Sequence, residues 1–137
     1  MNRSKRALIL PVLLFATIAT SNAQNPPLYL FGGQGHKEFL GCLNCDSIHP
    51  KSVWNEMSQF GFKNDFGVWN PFGQFINQFS SYSMCNEFST DSPIIVDENG
   101  RAYGRMSINE FAPGSVCGAT GNERLCRAVR ALCKSKN

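Results

Sequence analysis

Six cysteines constrain the fold of this 137-residue chain more than any other feature of its sequence. An even number of cysteines is typical of a disulfide framework when the chain folds in an oxidising compartment. We therefore expect three disulfides and leave their connectivity open at this point. The cysteines are Cys42, Cys45, Cys85, Cys117, Cys126 and Cys133.

The first 23 residues have the three parts of a secretory signal peptide. These are a basic start (Arg3, Lys5, Arg6), an apolar run at residues 7–20 and the small residues Ser21-Asn22-Ala23. The run is shorter than the roughly 20 residues that a membrane-spanning helix needs. We therefore expect cleavage and no membrane span, which leaves residues 24–137 as one secreted or periplasmic domain.

The charge of the mature chain argues against a nucleic-acid partner. The full chain has 13 Lys and Arg against 10 Asp and Glu, and three of the basic residues lie in the predicted signal peptide, so ten of each sign remain. A nucleic-acid-binding protein is expected to keep a positive excess. This chain is predicted to be close to neutral after processing.

Short strands are predicted in two places. An apolar run at residues 28–31 ends in a glycine-rich turn and is followed by a candidate strand at residues 38–43. The run Ile94-Ile95-Val96 precedes Asn99-Gly100, a strong turn signal, and predicts a β-hairpin over residues 93–109.

A helix is predicted over residues 122–135, where apolar residues recur at helical spacing. Cys126 and Cys133 lie about 10 Å apart along its axis, from a rise of ~1.5 Å per residue, whereas a disulfide joins Cα atoms within about 7 Å. These two should not pair. We expect one bridge between Cys85 and either Cys42 or Cys45, and another between Cys117 and either Cys126 or Cys133. At least one bridge must join the two halves of the chain.

Residues 52–89 contain three copies of one motif. Aligned on Asn55, Asn70 and Asn86, the copies lie 15 and then 16 residues apart. Trp54, Trp69 and Cys85 precede these asparagines, and the residue two positions after each asparagine is large and apolar: Met57, Phe72 and Phe88. A unit this short holds one turn-rich element and buries an aromatic ring only by stacking on its neighbours. We predict a row of internal anchors at positions 54, 69 and 85, with a disulfide as the third.

The order of these motifs resembles a family of small secreted bacterial proteins. In that family, tandem S-x-W-N repeats rich in aromatic residues and glycine precede a hairpin with the sequence IVD-x-x-G. The similarity covers about residues 28–110 and includes LGCLNC at 40–45, the Ser-Val-Trp-Asn copy, PIIVD at 93–97, Gly100 and Tyr103-Gly104. That family has no established activity, so the resemblance assigns no catalytic residue to this chain. Cys85 and the three cysteines after it depart from the family's pattern.

The Cys42-Leu43-Asn44-Cys45 motif has three interpretations. A structural disulfide is the first. Zinc bound by Cys42, Cys45 and His49 has plausible ligand spacing, and a redox-active pair would need a helix amino terminus that the flanking sequence does not predict. No nucleophile motif and no phosphate-binding or dinucleotide-binding motif is present. We expect no cofactor and no catalysis.

These observations predict a small disulfide-bonded α+β domain with stacked aromatic turns, a β-hairpin and a carboxyl-terminal helix. Its expected role is non-catalytic binding in the cell envelope, to a glycan or a protein. A ledge of aromatic rings is the predicted contact surface: Phe60, Phe66, Phe75, Phe79 and Tyr82. The alternatives are a disulfide-locked enzyme inhibitor and a small metal or thiol protein that uses the Cys42–Cys45 motif.

Overall fold

The computed structural model describes residues 25–135, and the predicted signal peptide lies outside them. These residues form a four-stranded antiparallel sheet, a short 3-10 helix and one α-helix, held by three disulfides. The strands are β1 (Leu28–Gly32), β2 (Glu38–Cys42), β3 (Ile94–Asp97) and β4 (Ala102–Arg105), and the α-helix is α1 (Glu123–Ser135). The prediction of a small disulfide-bonded α+β domain is confirmed.

The strands predicted near residues 28–31 and 38–43 pair as a first hairpin, the hairpin predicted at 93–109 is the second, and the two share one sheet. The strand order is β2-β1-β3-β4, so the first strand of each hairpin lies in the middle and Leu30 pairs with Ile95. The β3–β4 turn uses Gly100 at φ 78°, a left-handed conformation that favours glycine. The predicted helix is also present, and the Oδ1 of Asn122 accepts the backbone N–H of Leu125 as its amino-terminal cap.

Residues 46–89, which we call the turn segment, connect the two hairpins through successive β-turns. Backbone N–H groups at every third residue from His49 to Gly73 donate to the carbonyl three residues earlier. Here and elsewhere in the chain, we call a residue a corner when its carbonyl accepts the N–H of the residue three or four positions later. Because each hydrogen bond closes within four residues, the segment satisfies much of its backbone without pairing to the sheet.

One step in the turn segment is four residues long instead of three. The N–H of Asn77 donates to the carbonyl of Gly73 at 3.2 Å, and three-residue steps resume at Ser80 and Ser83. This step falls between Trp69 and Cys85. It accounts for the 16-residue interval that follows the 15-residue interval in the sequence.

The core lies between the sheet, the turn segment and the helix. Leu30, Leu40 and Ile95 of the sheet are buried with Trp69 of the turn segment and Val129 of the helix. The indole Nε1 of Trp69 donates to the carbonyl oxygen of Val53 at 2.9 Å, so its one polar group is satisfied inside the core.

The disulfides are Cys42–Cys45, Cys85–Cys133 and Cys117–Cys126. Cys126 and Cys133 do not pair with each other, as predicted, and Cys117 pairs with Cys126. The predicted bridge from Cys42 or Cys45 to Cys85 is wrong, because the turn segment carries Cys85 to the helix, where Cys133 is its partner. That bridge joins the two halves of the chain.

Three disulfides are typical of an oxidising compartment. Among the described residues, no helix combines the length and the apolar character that crossing a membrane requires.

Candidate functional site

Six asparagine corners share one local geometry. In each, the side-chain Oδ1 accepts the backbone N–H of the residue two positions later, at 2.9–3.0 Å. This is an Asx turn, which fixes the peptide after the corner. The corners are Asn55, Asn64, Asn70, Asn77, Asn86 and Asn109.

The residue held by each of these hydrogen bonds is a large apolar side chain in solvent. We call these six side chains the tips, and each is 85–94% exposed. They are Met57, Phe66, Phe72, Phe79, Phe88 and Phe111. Leaving such a side chain exposed forgoes about 1.5–3 kcal/mol relative to burying it, so these six side chains do not stabilise the core.

Two glycine corners precede buried aromatic residues, whereas the aromatic residues that follow serine corners are partly exposed. Trp69 and Phe75 follow Gly67 and Gly73 by two residues, and both are buried. Ser58 is itself buried because its short hydroxyl donates to the carbonyl oxygen of Pro50 at 2.7 Å. Asparagine corners are mostly half-buried, and all six precede an apolar residue that faces solvent.

This pattern separates the five aromatic residues that the sequence assigned to a ledge. Phe66 and Phe79 follow asparagines and are exposed tips. Phe60 is half-buried and packs edge-on against Phe39, with ring centroids 5.1 Å apart. Phe75 belongs to the core, and Tyr82 packs against it. The structure therefore does not bring these five rings together as one surface.

Four tips were not assigned to the ledge: Met57, Phe72, Phe88 and Phe111. The tripeptide Asn-x-Phe or Asn-x-Met occurs at all six positions, so a search for this pattern would have found them. Of the predicted anchors, Trp69 is buried. Trp54 is 38% exposed, and its ring stacks on the ring of Trp69 from the solvent side. Trp54 is therefore not an internal anchor.

Three tips border two adjoining grooves between the turn segment and the helix. The larger groove, of about 660 Å³, is lined by Phe79 and Phe88, and the smaller, of about 410 Å³, by Phe88 and Phe111. Both are also lined by Glu87, Ile108 and Arg130, and Lys134 borders the larger one. We call these two cavities the double groove.

The charges of the double groove are partly paired. Arg130 Nη2 lies 2.6 Å from Glu110 Oε1, and this pair is exposed enough for water to screen it. Glu87 and Lys134 form no ion pair with another residue in the range 25–135. The double groove therefore keeps one carboxylate and one ammonium group available for a ligand.

The Cys42-Leu43-Asn44-Cys45 motif closes a disulfide. Cys42 is fully buried, and the side chain of Asn44 binds the backbone of Pro26 and Leu28, which fixes the loop against β1. With both sulfurs bonded to each other, neither offers a thiolate to zinc. His49 lies on a turn, where its Nδ1 accepts the N–H of Lys51.

A polar cluster ties the first hairpin to the second. Arg105 Nη1 donates to the carbonyl oxygen of Ser92 at 2.9 Å and lies 3.0 Å from His36 Nε2. Burial lowers the pKa of Arg105, while the carboxylate of Asp91 opposes this change. Among the described residues, neither His36 nor any other residue forms a hydrogen bond with the hydroxyl of Ser92. The cluster therefore lacks the serine–histidine contact of a nucleophile.

The chain matches no protein-family model, no curated protein and no solved structure. The resemblance to a family with tandem S-x-W-N repeats therefore remains a prediction from the sequence.

Proposed function

We propose that this chain is a non-catalytic binding protein of the cell envelope that acts outside the cytoplasm and recognises a partner protein through its tips. The single observation that carries the proposal is the repeated geometry of Asn-x-Phe and Asn-x-Met. Six times, a side-chain hydrogen bond fixes a large apolar residue in solvent, where it adds nothing to the core. Phe and Met are enriched where proteins bind one another.

The residues between each asparagine and its tip indicate the character of the partner. Four of the six are acidic, and none is basic: Glu56, Asp65, Glu87 and Glu110, beside Pro71 and Gln78. Complementary charge at the rim of an interface accelerates association and excludes wrong partners. Glu56 is paired with Lys63 and Glu110 with Arg130, so Asp65 and Glu87 are the carboxylates left for basic groups at the rim of a partner that also has apolar hollows.

The finer architecture belongs to the same proposal. Stacked aromatic turns, in which each copy of the motif supports the next, would hold the tips at regular intervals. The stacking of Trp54 on Trp69 supports this arrangement, because the two rings occupy the same position in successive copies. Met57 and Phe72 also occupy equivalent positions in those two copies.

The experiment compares three forms of the purified, disulfide-bonded protein immobilised at equal density. These are the wild type, the variant Met57→Ser/Phe66→Ser/Phe72→Ser and the control Gln59→Ser, which changes an exposed polar residue of the same segment. We expect wild type and control to retain the same envelope protein saturably, and the tip variant to bind it at least tenfold more weakly with an unchanged melting temperature. Equal retention by all three forms, or no saturable retention, would contradict the proposal.

A second candidate ligand is a glycan of the envelope, and the larger groove favours it. Phe79 and Phe88 offer apolar faces for sugar rings, and Gln78 and Lys134 offer polar contacts beside them. Titration calorimetry with soluble envelope glycan fragments tests this directly. Glycan binding that is lost in Phe79→Ser but kept in Met57→Ser/Phe66→Ser/Phe72→Ser would indicate that the ligand is a glycan and not a protein. If the retained partner is an enzyme and binding inhibits it, the alternative of a disulfide-locked enzyme inhibitor would be favoured instead.

A further inference from the structure

We propose that the double groove is a self-association site, in which a second copy of this chain docks by a twofold axis. Twofold interfaces use the same surface on both subunits, so that surface must complement itself in shape and in charge. The double groove meets both requirements.

The shape of the double groove alternates between ridges and hollows. Phe88 lines both cavities, Phe79 borders the larger one and Phe111 the smaller one, and all three rings are at least 85% exposed. A ring that is a ridge on one copy can therefore fill a hollow of the other. Ile108, which lines both cavities, provides an apolar contact for the incoming ring.

The charge of the double groove also complements itself. Glu87 and Lys134 have opposite signs, both line the larger cavity, and neither has an ion-pair partner among residues 25–135. Arg130 and Glu110 already neutralise each other. In a twofold dimer, Glu87 of each copy faces Lys134 of the other, so the contact is made twice.

The available area is sufficient for a reversible dimer. Three phenylalanine rings contribute roughly 450–750 Å² on each copy, at about 150–250 Å² per buried ring. The total for both copies overlaps the lower part of the range for specific interfaces, about 1,200–2,000 Å².

Other occupants explain the double groove less well. The amide of Asn86 is already used on both sides, since its Oδ1 accepts the N–H of Phe88 and its Nδ2 donates to the carbonyl oxygen of Ser80. Fewer polar groups therefore remain for the hydroxyls of a sugar. An anionic membrane surface would attract Lys134 but repel Glu87.

Self-association goes beyond the proposed function and does not depend on it. It uses Phe79, Phe88 and Phe111 and leaves Met57, Phe66 and Phe72 available to a partner. A dimer presents two such sets, and linked binding sites raise the apparent affinity for a multivalent or surface-bound partner.

Analytical ultracentrifugation of the disulfide-bonded protein from low micromolar to several hundred micromolar tests the inference. We expect a monomer–dimer equilibrium whose dissociation constant rises at least tenfold in Glu87→Lys and in Lys134→Glu. The double variant Glu87→Lys/Lys134→Glu should restore dimerisation, because the exchanged charges face each other again. Lys37→Glu, an exposed charge change on the first hairpin, is the matched control, and melting temperatures verify that each variant is folded.

Two results would overturn the inference: a monomer at every concentration, or a dimer that neither single charge reversal weakens. Failure of the double variant to recover would also contradict the twofold pairing of Glu87 with Lys134. The variant Met57→Ser/Phe66→Ser/Phe72→Ser should dimerise like the wild type. Loss of partner binding and loss of self-association are therefore distinguishable.

Discussion

The indole ring of Trp54 stacks on that of Trp69 with their centroids 5.1 Å apart and their planes 22° from parallel. The inner ring is buried and donates to the carbonyl oxygen of Val53, and the outer ring, 38% exposed, donates to that of Leu43 at 2.7 Å. The outer indole N–H therefore links the turn segment to the residue that follows β2, while the inner one binds within the turn segment.

Substitution of the two indoles should separate a core residue from a surface one. Trp69→Ala is expected to lower the free energy of unfolding by about 3–5 kcal/mol, because it opens a cavity and leaves a buried carbonyl unpaired. Trp54→Ala should cost less, about 1–2 kcal/mol. Phe72→Ala, which changes an exposed tip, should stay within about 0.5 kcal/mol. Urea denaturation measures all three, and a large loss at Phe72 would contradict the description of the tips.

Two glycines of the turn segment differ in the space around them. A Cβ at Gly61 would lie 1.8 Å from the carbonyl oxygen of Asn55, whereas one at Gly73 would lie 3.2 Å from that of Asn70. Gly61→Ala should therefore destabilise the protein by about 1–3 kcal/mol or more, as overpacking does. Gly73→Ala serves as the matched control and should have a small effect. Similar melting temperatures for the two variants would show that corners do not approach each other closely.

The turn of the second hairpin should make stability depend on pH in acid. The backbone N–H of Arg101 donates to Asp97 Oδ1 and lowers the pKa of this carboxyl, and the N–H of Asn99 and the hydroxyl of Tyr103 act in the same direction, against burial. A pKa lowered by folding means that the ionised form stabilises the protein above the pKa of the unfolded chain, near 3.8. That stabilisation is lost as the pH falls through the folded pKa.

Asp97→Asn removes this titration while keeping the shape of the side chain. Between pH 6 and pH 2, wild type should therefore lose more stability than Asp97→Asn in guanidinium denaturation at each pH. Parallel losses in the two proteins would show that Asp97 is not held ionised by the turn.

The disulfides should differ in their effect on stability because they close loops of different length. Cys85 and Cys133 are 48 residues apart, and Cys42 and Cys45 are 3 apart. Loop-closure entropy predicts that the long bridge stabilises by roughly 4 kcal/mol and the short one by roughly 1.5 kcal/mol. Cys85→Ala/Cys133→Ala should melt well below Cys42→Ala/Cys45→Ala. The reverse order would mean that strain or residual structure outweighs chain entropy.

Local signals predicted the elements of the fold, but they did not predict how the elements meet. Asn99-Gly100 specified a hairpin turn, and the spacing of Val129 and Cys133 specified a helix face. The pairing of Leu30 with Ile95 has no local signal, because it depends on where the turn segment brings the chain back. The same cause misplaced the partner of Cys85: proximity in sequence favoured the first cysteine pair, but the turn segment leads to the helix.

The aromatic surface was predicted in part for a related reason. Hydrophobicity alone does not distinguish Phe75, which is in the core, from Phe79, which is in solvent. The distinction lies in the residue two positions earlier, which is glycine before Phe75 and asparagine before Phe79. The side chain of Asn77 accepts the N–H of Phe79, a hydrogen bond that glycine cannot make, and hydrophobic periodicity contains no information about this.

The closure of all but one of the successive turn hydrogen bonds from His49 to Ser83 within four residues also bears on how this chain can change in evolution. Adding or removing a triplet leaves every corner in phase, so that asparagine, serine and glycine keep their places relative to the side chains that follow them. Removing a single residue elsewhere than at the Gly73–Asn77 step would shift every downstream residue by one position relative to the corners. Natural length variants of the turn segment are therefore expected to differ by multiples of three residues, with new tips gained or lost as whole units.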